Sequence, residues 1–436
     1  MIRRSYRLIS KLSPFFAWVI SESYYTLVGG RFEDLKTALI NRGTISNLSF
    51  EWTLVQTKTA TPNHSRIAFI SCLPPDKTGI ATYSLYSWLD TDRDVDIFCL
   101  PYDDDWFFGL QRYVERRSSG HARIFDVRSF LTADMNQNYE FIVIALGNSD
   151  HFKFVLTLIE KLSSFGDLDR LTLYLHDACC LNVLMKGLYL DYTRFLSYLR
   201  DIYPEIFAKF RTRSKGPHPS LEMLAESGIM GIRYFYQKGI KSFIVNSEAA
   251  AQLVKNDIHS DDISLDILFN PIFAPIGDAQ IRKIIATPNI SHESGIIRIG
   301  TFGILGASKC TDLILSAVAL MAKRGDRVHL TLAGYNAHEY CLSRSRILEK
   351  FPHTIVNAPT DLQLWTLMNQ VDLAIQLRLK NTGESSGIVS HFIKLRKPMI
   401  LSDIGSFVEI GRDLGPDVAT ISKIFQVNNL PTAYQL

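Results

Sequence analysis

The chain has 436 residues, 47% hydrophobic and 21% charged, an ordinary globular composition with enough length for two cores. With 47 Lys+Arg against 44 Asp+Glu the formal charge is only +3, which excludes a polybasic nucleic-acid coat and an acidic disordered chain. No apolar run approaches the ~18 residues of a spanning helix. The six cysteines, Cys72, Cys99, Cys179, Cys180, Cys310 and Cys341, show no C-x-x-C spacing, so neither a disulfide framework nor a zinc knuckle is expected. Reduced, buried thiols in a cytoplasm are the expectation.

At the N-terminus Arg3, Arg4, Arg7 and Lys11 precede the apolar run 15–20. The run is short, Ser21 and Glu22 interrupt it, and no small-residue cleavage site follows, so it does not read as a secretory signal. Pro14 splits any helix there. Two readings stand: a helical extension packed on the body, or an interfacial segment with cations for anionic lipid and Phe and Trp for the acyl boundary.

From residue 66 onward short β-branched runs recur, at 66–72, 94–99, 140–146, 170–176, 241–246 and 263–269. Helical patterns lie between several of them, at 80–89, 152–162 and 249–255. Apolar runs bounded by turn residues predict buried parallel strands, and strand–helix alternation predicts a doubly wound α/β sheet. Pro275, Gly277, Pro288, Asn289, Ser291 and Gly295 then give residues 275–296 a linker composition. Alternation restarts with strands at 296–302 and 328–333, a helix at 311–323, and a short strand at 354–356. A helix opened by Asp361, a strand at 371–377, a helix at 386–395 and a strand at 398–402 complete it. The expected organisation is a helical N-terminal extension (1–60), a Rossmann-like domain (61–280), a linker (281–296) and a second Rossmann-like domain (297–436), the two domains facing across a cleft.

Ligands of such sheets bind beyond the carboxyl ends of the strands, so the chemistry is sought there. After the first strand, Gly79 follows the stiff pair Pro74-Pro75 and opens a helix, where backbone N–H groups can face an anion or a sugar. His176-Asp177 ends an apolar strand. The restart strand runs into Gly300, Gly303 and Gly306, a GxxGxxG spacing rather than GxGxxG, followed by Lys309. The next strand ends at Gly334-Tyr335-Asn336 without the acidic residue that holds an NAD ribose, which counts against a dehydrogenase and leaves an NAD(P)-dependent or epimerase-type enzyme as a third, weaker reading. The richest stretch is Leu377–Val389, where a strand ends, Arg378 and Glu384 occupy a polar loop, and Ser386 and Gly387 open a helix. Such a helix N-terminus can hold a diphosphate. The Asp103-Asp104-Asp105 run reads as a solvated loop, not a metal cluster.

These residues resemble the retaining, GT-B-fold glycosyltransferases of glycosyltransferase family 4, especially the mannosyltransferase-like enzymes of bacterial O-antigen and capsule assembly. Pro74 to Ser84 is similar to the family's PP-x-x-SGIA-x-Y-S, Gly147 to His151 to GNS-x-x-H, and Leu175-His176-Asp177 to L-H-D. Ile244 to Ser247 resembles V-x-S, Gly303 to Lys309 matches the donor-phosphate loop, and Leu377 to Gly387 matches LR…GE-x-SG. The resemblance implies that Lys309 neutralises the donor diphosphate and that Ser386, Gly387 and Ile388 present N–H groups to it. It further implies that Glu384 holds hydroxyls of the donor sugar, His176 reaches that sugar from the other domain, and Gly79 lines the cleft. The implied partners are a nucleoside-diphosphate sugar and a glycan or lipid-linked acceptor, with no nucleic acid. No metal or other cofactor is implied. The implied location is the cytoplasm, with peripheral contact at the inner membrane through the N-terminal segment and the basic run Lys209, Arg211, Arg213 and Lys215. The chain departs from the pattern at Ile304, where many members carry Arg, and at Phe392, where a second Glu stands; Arg378 is the candidate replacement cation. It ends about 30 residues after Phe407, so a shortened C-terminal domain is expected. The competing expectation is a non-catalytic relative that binds or scaffolds.

Overall fold

The computed structural model describes residues 66–76, 78–89, 92–131, 139–165, 168–211, 219–268, 278–287, 295–413 and 422–425. The expected N-terminal extension and residues 212–218 of the basic run lie outside them.

The first sheet has seven strands: β1 (Ile67–Ile70), β2 (Val95–Cys99), β3 (Ala122–Asp126), β4 (Phe141–Leu146), β5 (Leu171–Leu175), β6 (Ser242–Val245) and β7 (Ser264–Ile267). Their order is β3-β2-β1-β4-β5-β6-β7 and every pairing is parallel. Side chains alternate across the strands. Ala68 and Ile70 therefore enter one core with Ile142, Ile144 and Leu146, while Phe69 enters another with Ile97 and Ala145. Burial on both faces is why the central strands β1 and β4 read as continuous apolar runs.

The second sheet has six: β8 (Ile297–Phe302), β9 (Val328–Gly334), β10 (His353–Asn357), β11 (Leu373–Gln376), β12 (Met399–Ser402) and β13 (Ser422–Phe425). The order is β10-β9-β8-β11-β12-β13, again all parallel. Ile299 and Leu332 face one core, Phe302, Ala333 and Ala374 the other. Both sheets thus reverse their winding once, between β1 and β4 and between β8 and β11, and each reversal opens a crevice at the carboxyl edge. The expected fold, two Rossmann-like domains facing one another, is the observed one.

Three elements differ from the sequence reading. Asp103 accepts a 2.7 Å hydrogen bond from the Trp106 amide and caps helix Asp104–Arg117, with Asp104 and Asp105 in its first turn. The acidic run is a helix start stabilised by the helix dipole, not a solvated loop. Five helices between β5 and β6, Leu181–Gly187, Tyr192–Ile202, Pro204–Arg211, Leu221–Glu226 and Ile232–Gln237, thicken the first domain. Buried Asp257 fastens them, accepting from Tyr203 Oη and from the amides of Met230 and Arg233 at 2.7–2.8 Å. The third difference lies in the expected linker, which contains helix Asp278–Ala286. Ile281 and Ile284 bury against Trp365 and Met368, and Asn369 Nδ2 donates to the Ile284 carbonyl at 2.7 Å. Among the described residues the second domain therefore begins at Asp278, because two isoleucines three apart give that stretch an apolar face.

Candidate functional site

At the second switch point two loops meet. The loop after β8 runs to Lys309, the loop after β11 runs from Leu377 to Ser386, and the Leu379 amide ties them by donating to the Ser308 carbonyl at 2.9 Å. Lys309 Nζ donates to both oxygens of Glu384 at 2.9 Å. The Arg378 guanidinium donates to Glu384 Oε1 at 3.3 Å. Arg378 is braced from below: its amide donates to Ser402 Oγ at 2.6 Å, and its guanidinium lies 5.3 Å from the Phe407 ring centre. One carboxylate thus holds two cations at fixed positions.

Ser386 caps helix Gly387–Lys394, its Oγ accepting from the Val389 amide at 3.4 Å. The N–H groups of Gly387 and Ile388 precede the first intrahelical acceptors, as at any helix start. An added Cβ at Gly387 would meet no atom within 4 Å, so the space over this N-terminus is open. Gly303, with φ +98°, ends the β8 strand against Ile388. Its carbonyl lies so close to Gly334 that a Cβ there would stand 1.7 Å away, which restricts that position to glycine. Ile304 is solvent-exposed and Phe392 fully buried, its ring centre 5.4 Å from that of Phe302. A shallow depression opens here, lined by Arg378, Asn381, Thr382, Glu384, Gly405 and Phe407.

The first domain meets this cluster through the turn after β5. The Cys179 amide donates to the Thr382 carbonyl at 3.2 Å. Gly383, with φ +73°, approaches so closely that a Cβ would lie 2.3 Å from that of Ala178. Asp177 accepts from the Asn148 amide at 2.9 Å. Burial raises its carboxyl to about 6, with the Glu384 charge adding to the shift; the Asn148 amide, Lys309 and Arg378 oppose it. For Glu384 burial alone would raise the carboxyl, but Arg378 and Lys309 outweigh it and hold it below the usual range. For Lys309 burial wins over the Glu384 charge and lowers the ammonium. The domains are also clasped beside the cleft: the Glu409 carboxylate, on helix Ser406–Asp413, accepts from the amides of Glu248 and Ala249 at 2.7 Å.

The structure therefore gathers Lys309, Arg378 and Glu384 into one contact group, with Ser386, Gly387, Ile388 and Gly303 at the neighbouring helix start. His176, expected to reach the donor sugar, is held by neighbours of the first domain. It is 7% exposed and sits among first-domain side chains: Asn246 Nδ2 donates to its Nδ1 at 3.4 Å, and its ring centre lies 4.3 Å from that of Tyr174 and 6.0 Å from that of Tyr83. Burial lowers its imidazole to about 3. The charges of Glu384, Lys309 and Arg378 act on the carboxyl of the neighbouring Asp177, which strand alternation past Tyr174 sets on the opposite side from His176. Gly79 opens helix Gly79–Leu89 with no atom within 4 Å of an added Cβ, so its surroundings do not demand glycine.

No protein-family model and no curated protein matches the chain. Solved structures resemble it weakly. Anabaena HepE in complex with UDP and glucose has TM-score 0.45 and 14% identity, over 80% of this chain and 83% of that one. A UDP-forming trehalose-phosphate synthase from Burkholderia xenovorans has TM-score 0.45 and 11% identity, over 82% and 92%. WaaG, a glycosyltransferase involved in lipopolysaccharide biosynthesis, has TM-score 0.43 and 10% identity, over 82% and 85%. At such scores the fold stands on the strand order and parallel pairing of the chain itself.

Proposed function

We propose that this chain transfers a hexosyl group, mannosyl-like, from a nucleoside-diphosphate sugar to a hydroxyl of a glycan or lipid-linked acceptor, with retention at the anomeric carbon. The observation that carries this reading is the Lys309–Glu384–Arg378 group at the second switch point, beside the open start of helix Gly387–Lys394. In the reaction the bond from the anomeric carbon to the diphosphate breaks and the diphosphate leaves with the electron pair, while the acceptor hydroxyl oxygen bonds to that carbon and its proton passes to the departing diphosphate oxygen. Negative charge grows on the leaving group. Lys309, Arg378 and the N–H groups of Gly387 and Ile388 meet it from preset positions, so little reorganisation is needed. This arrangement sets positive charge from side chains and backbone N–H groups against the charge of the leaving group. Glu384 keeps the two cations apart until the donor arrives and then has one oxygen for sugar hydroxyls.

A thermal-shift series with UDP, GDP and their sugars tests the reading. A ligand at 100 times its dissociation constant stabilises by about 2.7 kcal/mol, enough to see. No shift with any of them would refute it. The second reading, a non-catalytic relative, draws on Phe392, a core residue at the position where the resembling family has a carboxylate. Binding of nucleotide without turnover of any sugar nucleotide would favour that alternative. A place in lipopolysaccharide or capsule assembly, in the cytoplasm at the inner membrane face, belongs to the same proposal. Among the described residues no helix is long and apolar enough to cross a membrane. Salt-sensitive pelleting with anionic liposomes, lost on deletion of residues 1–20, would support the peripheral location, and equal recovery without lipid would overturn it.

A further inference from the structure

Asp177 belongs to neither of the loops that form the cation group, yet the fold sets it beside them. It follows β5 by way of His176, and the turn 177–180 lies against the loop after β11. Ala178 stands against Gly383, and the Cys179 amide donates to the Thr382 carbonyl. Asp177 adjoins Ala178 in sequence and Glu384 adjoins Gly383, so this contact between the domains brings two carboxylates together. Asp177 cannot swing away. Its Oδ2 accepts from the Asn148 amide at 2.9 Å, and a Cβ added to Gly147 would stand 3.4 Å from the same oxygen. Asn148 is itself fixed: its Oδ1 accepts from the amides of Asn182 and Val183 at 2.9 and 3.1 Å, at the start of helix Leu181–Gly187.

The two carboxylates are served unequally. Glu384 takes three hydrogen bonds from two cations. Among the described residues Asp177 takes one, from a backbone amide, and its Oδ1 takes none. Its ionised form is therefore the less well held of the two. The groups facing it are the Asn148 amide from the loop after β4, Lys309 from the loop after β8, and Arg378 and Glu384 from the loop after β11. Its own turn adds the thiols of Cys179 and Cys180, which burial keeps neutral. Two cations and two carboxylates balance. The diphosphate of a sugar nucleotide brings two more negative charges, and Asp177, with the fewest donors, is where a proton can remove one.

We propose that Asp177 is a positioning residue of the donor site that takes up a proton as a diphosphate settles on Lys309 and Arg378. The proton comes from solvent and returns to it when the diphosphate leaves. The protonated carboxyl keeps its place, offers an O–H donor instead of a charge, and leaves the field of the two cations to the ligand. At an effective dielectric of ~20, one unit charge about 12 Å away makes a carboxyl about tenfold harder to ionise, so a diphosphate on the neighbouring cations suffices. This deepens the transferase reading and rests on it for the identity of the ligand; the coupling of anion to proton does not.

Calorimetry in two buffers of different ionisation heat counts the protons. The probes are UDP-glucose, GDP-mannose and sulfate, none of which exchanges a proton with solvent between pH 5 and 8. At pH 6.5 the wild type should take up about half a proton per bound probe, and its affinity should rise about tenfold from pH 8 to pH 5. Asp177→Asn, neutral at every pH, should take up none, show a flat profile, and bind at pH 8 about tenfold more tightly than the wild type. Asp177→Ser, a second neutral variant, should behave alike. A residue that only braced the turn would instead weaken binding equally at every pH, and that result would overturn the proposal. Wild-type proton uptake in either variant, or binding by the wild type with no uptake, would also overturn it and leave the transferase reading intact. Proton-coupled binding of sulfate alone, lost in the variants, would keep the coupling and fail the transferase reading. No binding of any probe would fail both.

Discussion

Replacing Glu384 by Gln should separate the two duties assigned to this carboxylate. Glu384 lies 2.9 Å from Lys309 Nζ and 3.3 Å from Arg378. A diphosphate resting on those cations would have the Glu384 charge about 5 Å away, a repulsion of about 3 kcal/mol per unit charge at an effective dielectric of ~20. The Glu384 side chain is 37% exposed, so solvent screens much of this and about 1 kcal/mol is left. Glu384→Gln is therefore predicted to bind inorganic pyrophosphate about fivefold more tightly than the wild type by calorimetry. Sugar transfer by the same variant should fall about 10²-fold, because the sugar loses its charged acceptor. Bare-phosphate affinity and turnover thus move in opposite directions. Unchanged or weaker pyrophosphate binding would refute the idea that Glu384 stands between these cations and an anion.

Other expectations follow from the same geometry. Gly334→Ala sets a Cβ against the Gly303 carbonyl, which is backbone and cannot swing away, so urea denaturation should show a loss of about 3 kcal/mol; a loss below 1 would contradict the packing. Glu409→Ala removes the acceptor of two amides at 2.7 Å, and hydrogen exchange at Glu248 and Ala249 should quicken about tenfold, with unchanged exchange counting against the interdomain clasp. His176 and His391 are lowered by burial from 6.5 to about 3 and about 4, so the unfolded chain binds protons that the folded one refuses. Their contribution is whole above pH 6.5 and is lost progressively as the pH falls from 6.5 towards the folded values, by about 2 kcal/mol for each at pH 5. His176→Asn/His391→Asn should accordingly lose less stability than the wild type between pH 7 and 5, and an equal loss would contradict neutral, buried rings.

The strands from β1 to β12 other than β3 were legible from short runs rich in apolar and β-branched residues, unbroken in β1 and β4. β3 was not, since its sequence Ala122–Asp126 carries Arg123 and Asp126. Arg123 can stand in a strand only because it bonds the buried Asp96 of β2 through Nε at 2.8 Å and Nη2 at 2.7 Å, a partner invisible in one dimension. The helices between β5 and β6 were missed for a related reason: their apolar faces are short and interrupted, and they are held by contacts such as those of Asp257, far apart in sequence. At the site, the loop residues Lys309, Arg378 and Glu384 were recognisable from their place after strands β8 and β11. That Glu384 binds both cations depends on side-chain directions in two loops some 75 residues apart in sequence. The bond from Asn148 to Asp177, 29 residues apart, likewise needed the sheet order to bring β4 beside β5.

The most direct test of the central claim is nucleoside-diphosphate release from UDP- and GDP-sugars by the wild type and by Lys309→Ala, measured side by side. The account predicts release by the wild type from at least one donor and a loss of about 10²-fold in the variant, with its melting temperature retained. Release at the wild-type rate by Lys309→Ala, or no release from any donor by the wild type, would contradict it.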